Sequence, residues 1–188
     1  MCIRDSLLEK GISVDDFNRQ NGVGSLTNEI YALSFKSDKK KAQVSCHYSA
    51  KNLDFVKNIA FSKAPGFEAS YIFNKKNLLN DYDFGIEFNI SLPSPNDIFR
   101  RQKLKETPLN EPGIFEGLSS FTIIDHFKKL VIELVFDKAD IFTLPIYSVS
   151  SSEGGFEKVF QQLALLLVLK GKSERFNLSF SVQDNRKT

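Results

Sequence analysis

A large antiparallel β-sandwich is the fold this sequence predicts, and three observations carry the prediction. Apolar residues recur at every second position in several separate segments. Turn-forming residues interrupt those segments at short intervals. No long amphipathic helical pattern appears, and no alternation of strand with helix of the kind a parallel sheet requires. The pattern amounts to roughly eight to eleven strands, enough for two packed sheets.

Taken in order, residues 7–23 are polar, with a short helix expected around residues 14–19. Residues 30–36 then alternate, with Tyr31, Leu33 and Phe35 on one face. Ser37-Asp38-Lys39-Lys40-Lys41 is a charged hairpin tip. Strands are expected at residues 42–49, 58–62 and 66–73, followed by a polar connection over residues 75–83. Residues 84–92 give the clearest alternation. Phe84, Ile86, Phe88 and Ile90 share one parity, facing the core, while Gly85, Glu87, Asn89 and Ser91 share the other. Pro93 and Pro95 end that strand. Residues 98–117, rich in charge and broken by Pro108, Pro112 and Gly113, read as a long surface loop. Three strands follow at residues 120–125, 130–136 and 141–149. Gly154-Gly155 marks a break. The apolar run within residues 156–170 suits a buried strand or a helix equally. Phe176, Leu178, Phe180 and Val182 close the chain as one more strand.

Composition narrows the function. The 188 residues are enough for one domain with a substantial core, and 41% of them are apolar. Their net charge of +2 gives no basic footprint for nucleic acid or for a membrane surface. No apolar run reaches membrane-spanning length, and no signal peptide pattern opens the chain. A cytoplasmic protein is therefore expected. Two cysteines, Cys2 and Cys46, make no disulfide framework. The two histidines, His47 and His126, fall in no zinc-ligand spacing, so neither a metal nor a cofactor is expected. The 18 Phe, with no Trp, point to an aromatic core.

No nucleophile elbow, P-loop or zinc-protease motif is present. Asp125-His126 juxtaposes an acid and an imidazole, but neighbours on a strand face opposite ways and cannot easily cooperate. No catalytic residue is assigned. The informative stretch runs from Leu144 through Pro145, Ser148, Ser150, Ser152, Glu153, Gly154 and Gly155 to Phe156 and Gln161. It describes a strand, a hydroxyl-rich bend and an aromatic strand. Its Ser and Glu side chains suit two roles: satisfying the bend's own backbone, or presenting polar groups to a sugar or a neighbouring domain.

That stretch resembles the signature of the C-terminal β-sandwich domain of glycoside hydrolase family fifty-seven, the 4-α-glucanotransferases and related α-amylases. Pro145-Ile146, Val149-Ser150, Ser152-Glu153, Gly155-Phe156-Glu157, Val159 and Gln161 match its pattern. Ser148 replaces a Thr, Phe160 a Tyr, and Gln162 a Gly. Weaker likenesses run through Phe61 and Asn74, through Phe84-Gly85-Ile86-Glu87-Phe88-Asn89, and through Ile123-Ile124-Asp125, so that the resemblance extends from Tyr31 to Val182.

The resemblance implies a sandwich of the galactose-mutarotase-like, or supersandwich, type. It also implies a parent enzyme that acts on α-glucan by retention, with its catalytic carboxylates in an N-terminal barrel that has no counterpart here. In that reading the chain is the C-terminal domain, its partners are the catalytic barrel and α-glucan, and its role is to buttress the barrel and wall part of the glucan cleft. Ser150, Ser152, Glu153 and Gln161 are the candidate substrate or interface residues. Residues 1–6, which resemble a translated adapter remnant, are set aside. Residues 7–29 form a linker, and residues 30–188 the sandwich. The alternative is a free-standing carbohydrate-binding or structural module. A mutarotase-type enzyme in its own right would need a His and an acid facing one cleft.

Overall fold

The computed structural model describes residues 2–50, 52–103, 105–152, 155–170 and 173–187. Among these are thirteen strands and one short helix. They are β1 (Cys2–Glu9), α1 (Val14–Arg19), β2 (Val23–Ser25), β3 (Ala32–Ser37), β4 (Ala42–Ser49), β5 (Leu53–Phe61) and β6 (Gly66–Lys76). There follow β7 (Tyr82–Ile90), β8 (Ile98–Gln102), β9 (Lys105–Pro108), β10 (Gly113–Asp125), β11 (Leu130–Ser152), β12 (Gly155–Leu169) and β13 (Arg175–Asp184). Every pairing is antiparallel. The all-β antiparallel sandwich expected from the alternation is present.

The strand order is β2-β1-β7-β12-β11-β13-β6-β5-β4-β3. Strand β11 makes this continuous ladder into a sandwich. Its first part, residues 130–136, pairs with β13, and its second part, residues 140–152, pairs with β12. The sheet folds over between them, and rings of β7 then meet rings of β5 and β6. Phe55 and Phe84 stand 5.3 Å apart, and Phe73 and Phe84 5.1 Å apart. Such a strand, leaving one sheet for the other at a bend, is how two sheets share a corner. Strand β10 follows β11 through the bend with two register shifts, and Gly117, within the first of them, has φ +62°. The Asp140 carboxylate accepts the Gly117 N–H at 2.7 Å and fixes the corner.

The sequence reading divided this segment into two strands, at residues 130–136 and 141–149. Without a Gly or Pro between them, the strand instead continues and exchanges partners. Residues 98–117 also differ from the expected loop. They form the β8–β9 hairpin and the start of β10, with β8 paired to β10. Their prolines lie at the ends of elements, Pro108 ending β9 and Pro112 preceding β10. The ambiguous run before Lys170 is a strand, β12, placed centrally between β7 and β11.

Phe84, Ile86, Phe88 and Ile90 point into the main core, as their parity requires. The opposite face of β7 is not open to water, however, because Glu87 and Asn89 are buried as well. Asn89 donates to Glu87 at 2.6 Å, Gln162 donates to Asn89 at 3.0 Å, and Arg4 is ion-paired with Glu87. Beside them a second apolar cluster joins Val14 and Phe17 of α1 to Leu8, Phe142, Leu166 and Val168. The helix starts at a capping box between Ser13 and Asp16.

Of the segment set aside by the sequence reading, residues 2–6 contribute to the fold. Strand β1 pairs with β7 from Cys2 to Glu9. Its inward-facing Asp5 is buried, receiving Lys57 Nζ at 2.7 Å and the Tyr71 hydroxyl at 2.8 Å. Burial, with the Asp5 carboxylate next in weight, pushes the Tyr71 phenol well up. The sequence reading set this segment aside for its likeness to an adapter remnant, so neither the strand nor the buried Asp5 was expected. The segment expected as a linker, residues 7–29, supplies the end of β1, the helix and β2. At the other end of the order, β3 keeps the expected parity, but as the terminal strand it leaves Leu33 and Phe35 exposed.

Candidate functional site

The stretch singled out by sequence is a two-stranded ribbon that leaves the sandwich. Strand β7 pairs with β12 only from Leu163 to Leu169, and β10 pairs with β11 only as far as Thr143. Beyond those points the tips of β11 and β12 pair with each other alone, down to Ser152 and Gly155. At about 3.3 Å per residue the overhang is roughly 20 Å long. Pro145 stands just past the last β10 pair, where a strand tolerates a missing N–H. Gly155, with φ +118°, supplies the backbone that the tip requires.

Register divides the ribbon into two faces. One continues the core face of the sandwich and carries Tyr147, Val149 and Ser151 opposite Phe160, Lys158 and Phe156. Tyr147 and Phe160 meet edge-on at 5.6 Å, and the Lys158 ammonium lies 4.0 Å from the Tyr147 ring centroid. Farther out, Val149 is 70% and Phe156 85% exposed. The other face carries Ser148 and Ser150 opposite Val159 and Glu157. A bulge between Ile146 and Tyr147 sets Gln161 out of register, and its amide donates to the Ser148 hydroxyl at 2.9 Å.

Of the four candidate residues, Ser150 is exposed and paired with Glu157, and Gln161 is exposed at the bulge. The backbone of Ser152 pairs with Gly155, while the Ser152 side chain and all of Glu153 lie outside the described residues. The structure brings Gln161 to Ser148, and among the described residues no acid–base pair is gathered around them. Sequence reasoning passed over the apolar members of this ribbon, Val149 and Phe156. Their alternation with the serines was visible, but whether the strand had a covering layer was not.

Asp125 and His126 act apart. The Asp125 carboxylate accepts the Lys128 N–H at 2.8 Å, and His126 Nε2 bonds Glu106 at 2.7 Å. Hydrogen bonds from Arg101 and then His126 hold the Glu106 carboxyl below its ordinary range. Among the described residues no three His, Cys, Asp or Glu side chains are grouped to hold a metal ion. Among the described residues, likewise, no helix is long and apolar enough to cross a membrane.

Among solved structures, the chain is similar to the 4-alpha-glucanotransferase from Thermococcus litoralis, with a TM-score of 0.68 at 18% identity over 95% of this chain. It spans only 27% of that enzyme. It is also similar in fold to the protein HI1317, with a TM-score of 0.59 at 12% identity, over 82% of this chain and 65% of that one. No curated protein matches it. The family model for alpha-amylase/4-alpha-glucanotransferase, C-terminal, matches residues 2–182, and the chain belongs to that C-terminal domain family.

Proposed function

We propose that the chain is the non-catalytic C-terminal domain of an α-glucan-acting enzyme and that it buttresses the catalytic barrel through the β11–β12 ribbon. One observation carries this reading: the core-facing side of the ribbon extends past the sandwich with Val149 and Phe156 in water. Apolar side chains that continue a core face beyond its own layer are suited to burial by another body of the same enzyme. Ser150, Ser152, Glu153 and Gln161 would then form the polar border of the contact.

The test is made on the full-length protein recovered from the upstream reading frame. Val149→Ser/Phe156→Ser should leave the melting temperature of the 188-residue chain within about 1 °C, because both side chains are exposed. In the full-length enzyme the same pair should lower the melting temperature and the activity on maltoheptaose. An upstream frame without a barrel, or a full-length enzyme indifferent to the double substitution, refutes the reading.

A further inference from the structure

The outer face of the second sheet, away from both the core and the ribbon, is arranged as a ladder of uncharged polar groups. The register sets Ser45, Asn58, Ser70 and Asn177 side by side across β4, β5, β6 and β13. Asn177 reaches Asp137 of β11 through its backbone N–H at 2.8 Å and its amide at 3.0 Å. With neighbouring strands about 4.8 Å apart, the ladder runs roughly 20 Å across the sheet. Its Asn58, Ser70 and Asn177, with Gln43 of β4 and Asp137 of β11, line a groove of about 620 Å³, within the range of small-ligand sites.

The groups are held in place yet unsaturated. Asn58 Oδ1 accepts from Ser45 at 2.6 Å, which orients the amide, while among the described residues its nitrogen has no partner. The Ser70 and Ser179 hydroxyls beside it likewise have none. Ala60, Ile72 and Val135 lie between the polar groups on the groove floor. Its charges balance, with Lys41 and Arg175 against Glu68 and Asp137, and Lys41 stands 3.5 Å from Glu68.

We infer that this groove binds a neutral oligosaccharide, an α-linked glucan, lying across the strands from β4 to β11. Sugar hydroxyls both donate and accept, as Asn, Gln and Ser side chains do. The C–H faces of a pyranose match the small apolar patches between them. The balanced charge disfavours a phosphate or a carboxylate ligand. The choice of the α-linkage rests on the reading of the parent as an α-glucan enzyme, whereas the groove itself does not.

The experiment follows backbone amide shifts of the isotope-labelled 188-residue chain during titration with maltoheptaose, with cellohexaose and inorganic phosphate in parallel. The expected result is millimolar maltoheptaose binding with shifts concentrated at Asn58, Ser70, Asn177 and Ser179. Asn58→Ala/Ser70→Ala should weaken it about tenfold, equivalent to about 1.4 kcal/mol. Both residues are on a solvent-facing side, so the wild-type shift map also reads the site should that variant misfold. A groove silent to both sugars, shifts confined to other strands, or phosphate binding in preference overturns the site. Cellohexaose binding without maltoheptaose binding overturns the α-linkage alone.

Discussion

Phe55→Ala should be among the most damaging single truncations in the molecule. The Phe55 ring is fully buried, and five other rings surround it. Tyr48 lies at 5.5 Å, Phe73 at 5.7 Å, Tyr71 at 6.2 Å and Tyr31 at 6.3 Å, while Phe84, at 5.3 Å, belongs to the opposite sheet. Buried Phe→Ala changes cost about 3–5 kcal/mol, and the spread follows how far the site can collapse. Here the neighbours are rings anchored on two different sheets, so little collapse is available. The loss should fall at the upper end, about 5 kcal/mol. For a domain of this size that corresponds to a melting temperature lower by about 10–20 °C. Thermal melting by circular dichroism reads it, with Phe55→Leu as the intermediate member of the series. Phe127→Ala, at a position 63% exposed, is the control and should stay within about 0.5 kcal/mol of the parent. If Phe55→Ala melts no lower than Phe127→Ala, the inter-sheet packing argued from these rings is wrong.

The remaining predictions address other parts of the sandwich. Deleting residues 1–6 removes Asp5 and leaves Lys57 buried without its counter-charge, at a cost of about 3–5 kcal/mol; a fragment starting at Leu7 with unchanged urea midpoint would contradict the pairing. Gly66 has φ +142°, and a Cβ there would stand 2.0 Å from the Phe180 carbonyl oxygen, so Gly66→Ala should lose at least about 3 kcal/mol in urea unfolding. Asp140→Ala leaves the Gly117 N–H at the corner without its acceptor and should cost about 1–3 kcal/mol, whereas Asp140→Asn, which keeps an acceptor oxygen, should cost less. Hydrogen bonds from Ser49 and Asn74 hold the Asp54 carboxyl down at about 2, against 3.8 for the free group. Its stabilisation is thus complete above 3.8 and lost as pH falls through about 2. Ser49→Ala should move that acid limb to higher pH, and melting curves between pH 2 and pH 5 that coincide for the two proteins refute the assignment.

Legibility in the sequence followed burial on a single face. Residues 84–90 of β7 and 176–182 of β13 were readable because one parity is apolar throughout. Glu87 and Asn89 were assigned to the opposite parity correctly, but their partners are Arg4 of β1 and Gln162 of β12, neither of which is local to them. Residues 98–108 were lost to the charges and prolines of an edge hairpin, where backbone pairing with β10 outweighs weak propensity. The β11 corner was illegible because a partner exchange needs no turn residue. At the candidate site the serines and Gln161 drew attention through chemistry, and the matching family pattern placed them. Val149 and Phe156 carry the exposed surface, yet in sequence they look like any core-facing residues of a strand. The polar ladder was invisible for a related reason: Ser45, Asn58, Ser70 and Asn177 are adjacent only once four strands are in register.

The passage of β11 through both sheets also bears on how the molecule comes apart. Neither sheet has its full set of neighbours unless both parts of this one strand are in place, so no half of the sandwich is a separable folding unit. Native-state amide exchange should therefore report one opening free energy for residues 130–136 and 140–144, equal to that of global unfolding. The ribbon tip beyond them should exchange by local fraying. Most of the ladder partners are distant in sequence, which places the chain with the slow, non-local folders. Circular permutants opened between Asp137 and Asp140 should consequently fail to refold, while those opened at the exposed turn between β3 and β4, around Lys39 and Lys40, should refold at close to the parent rate.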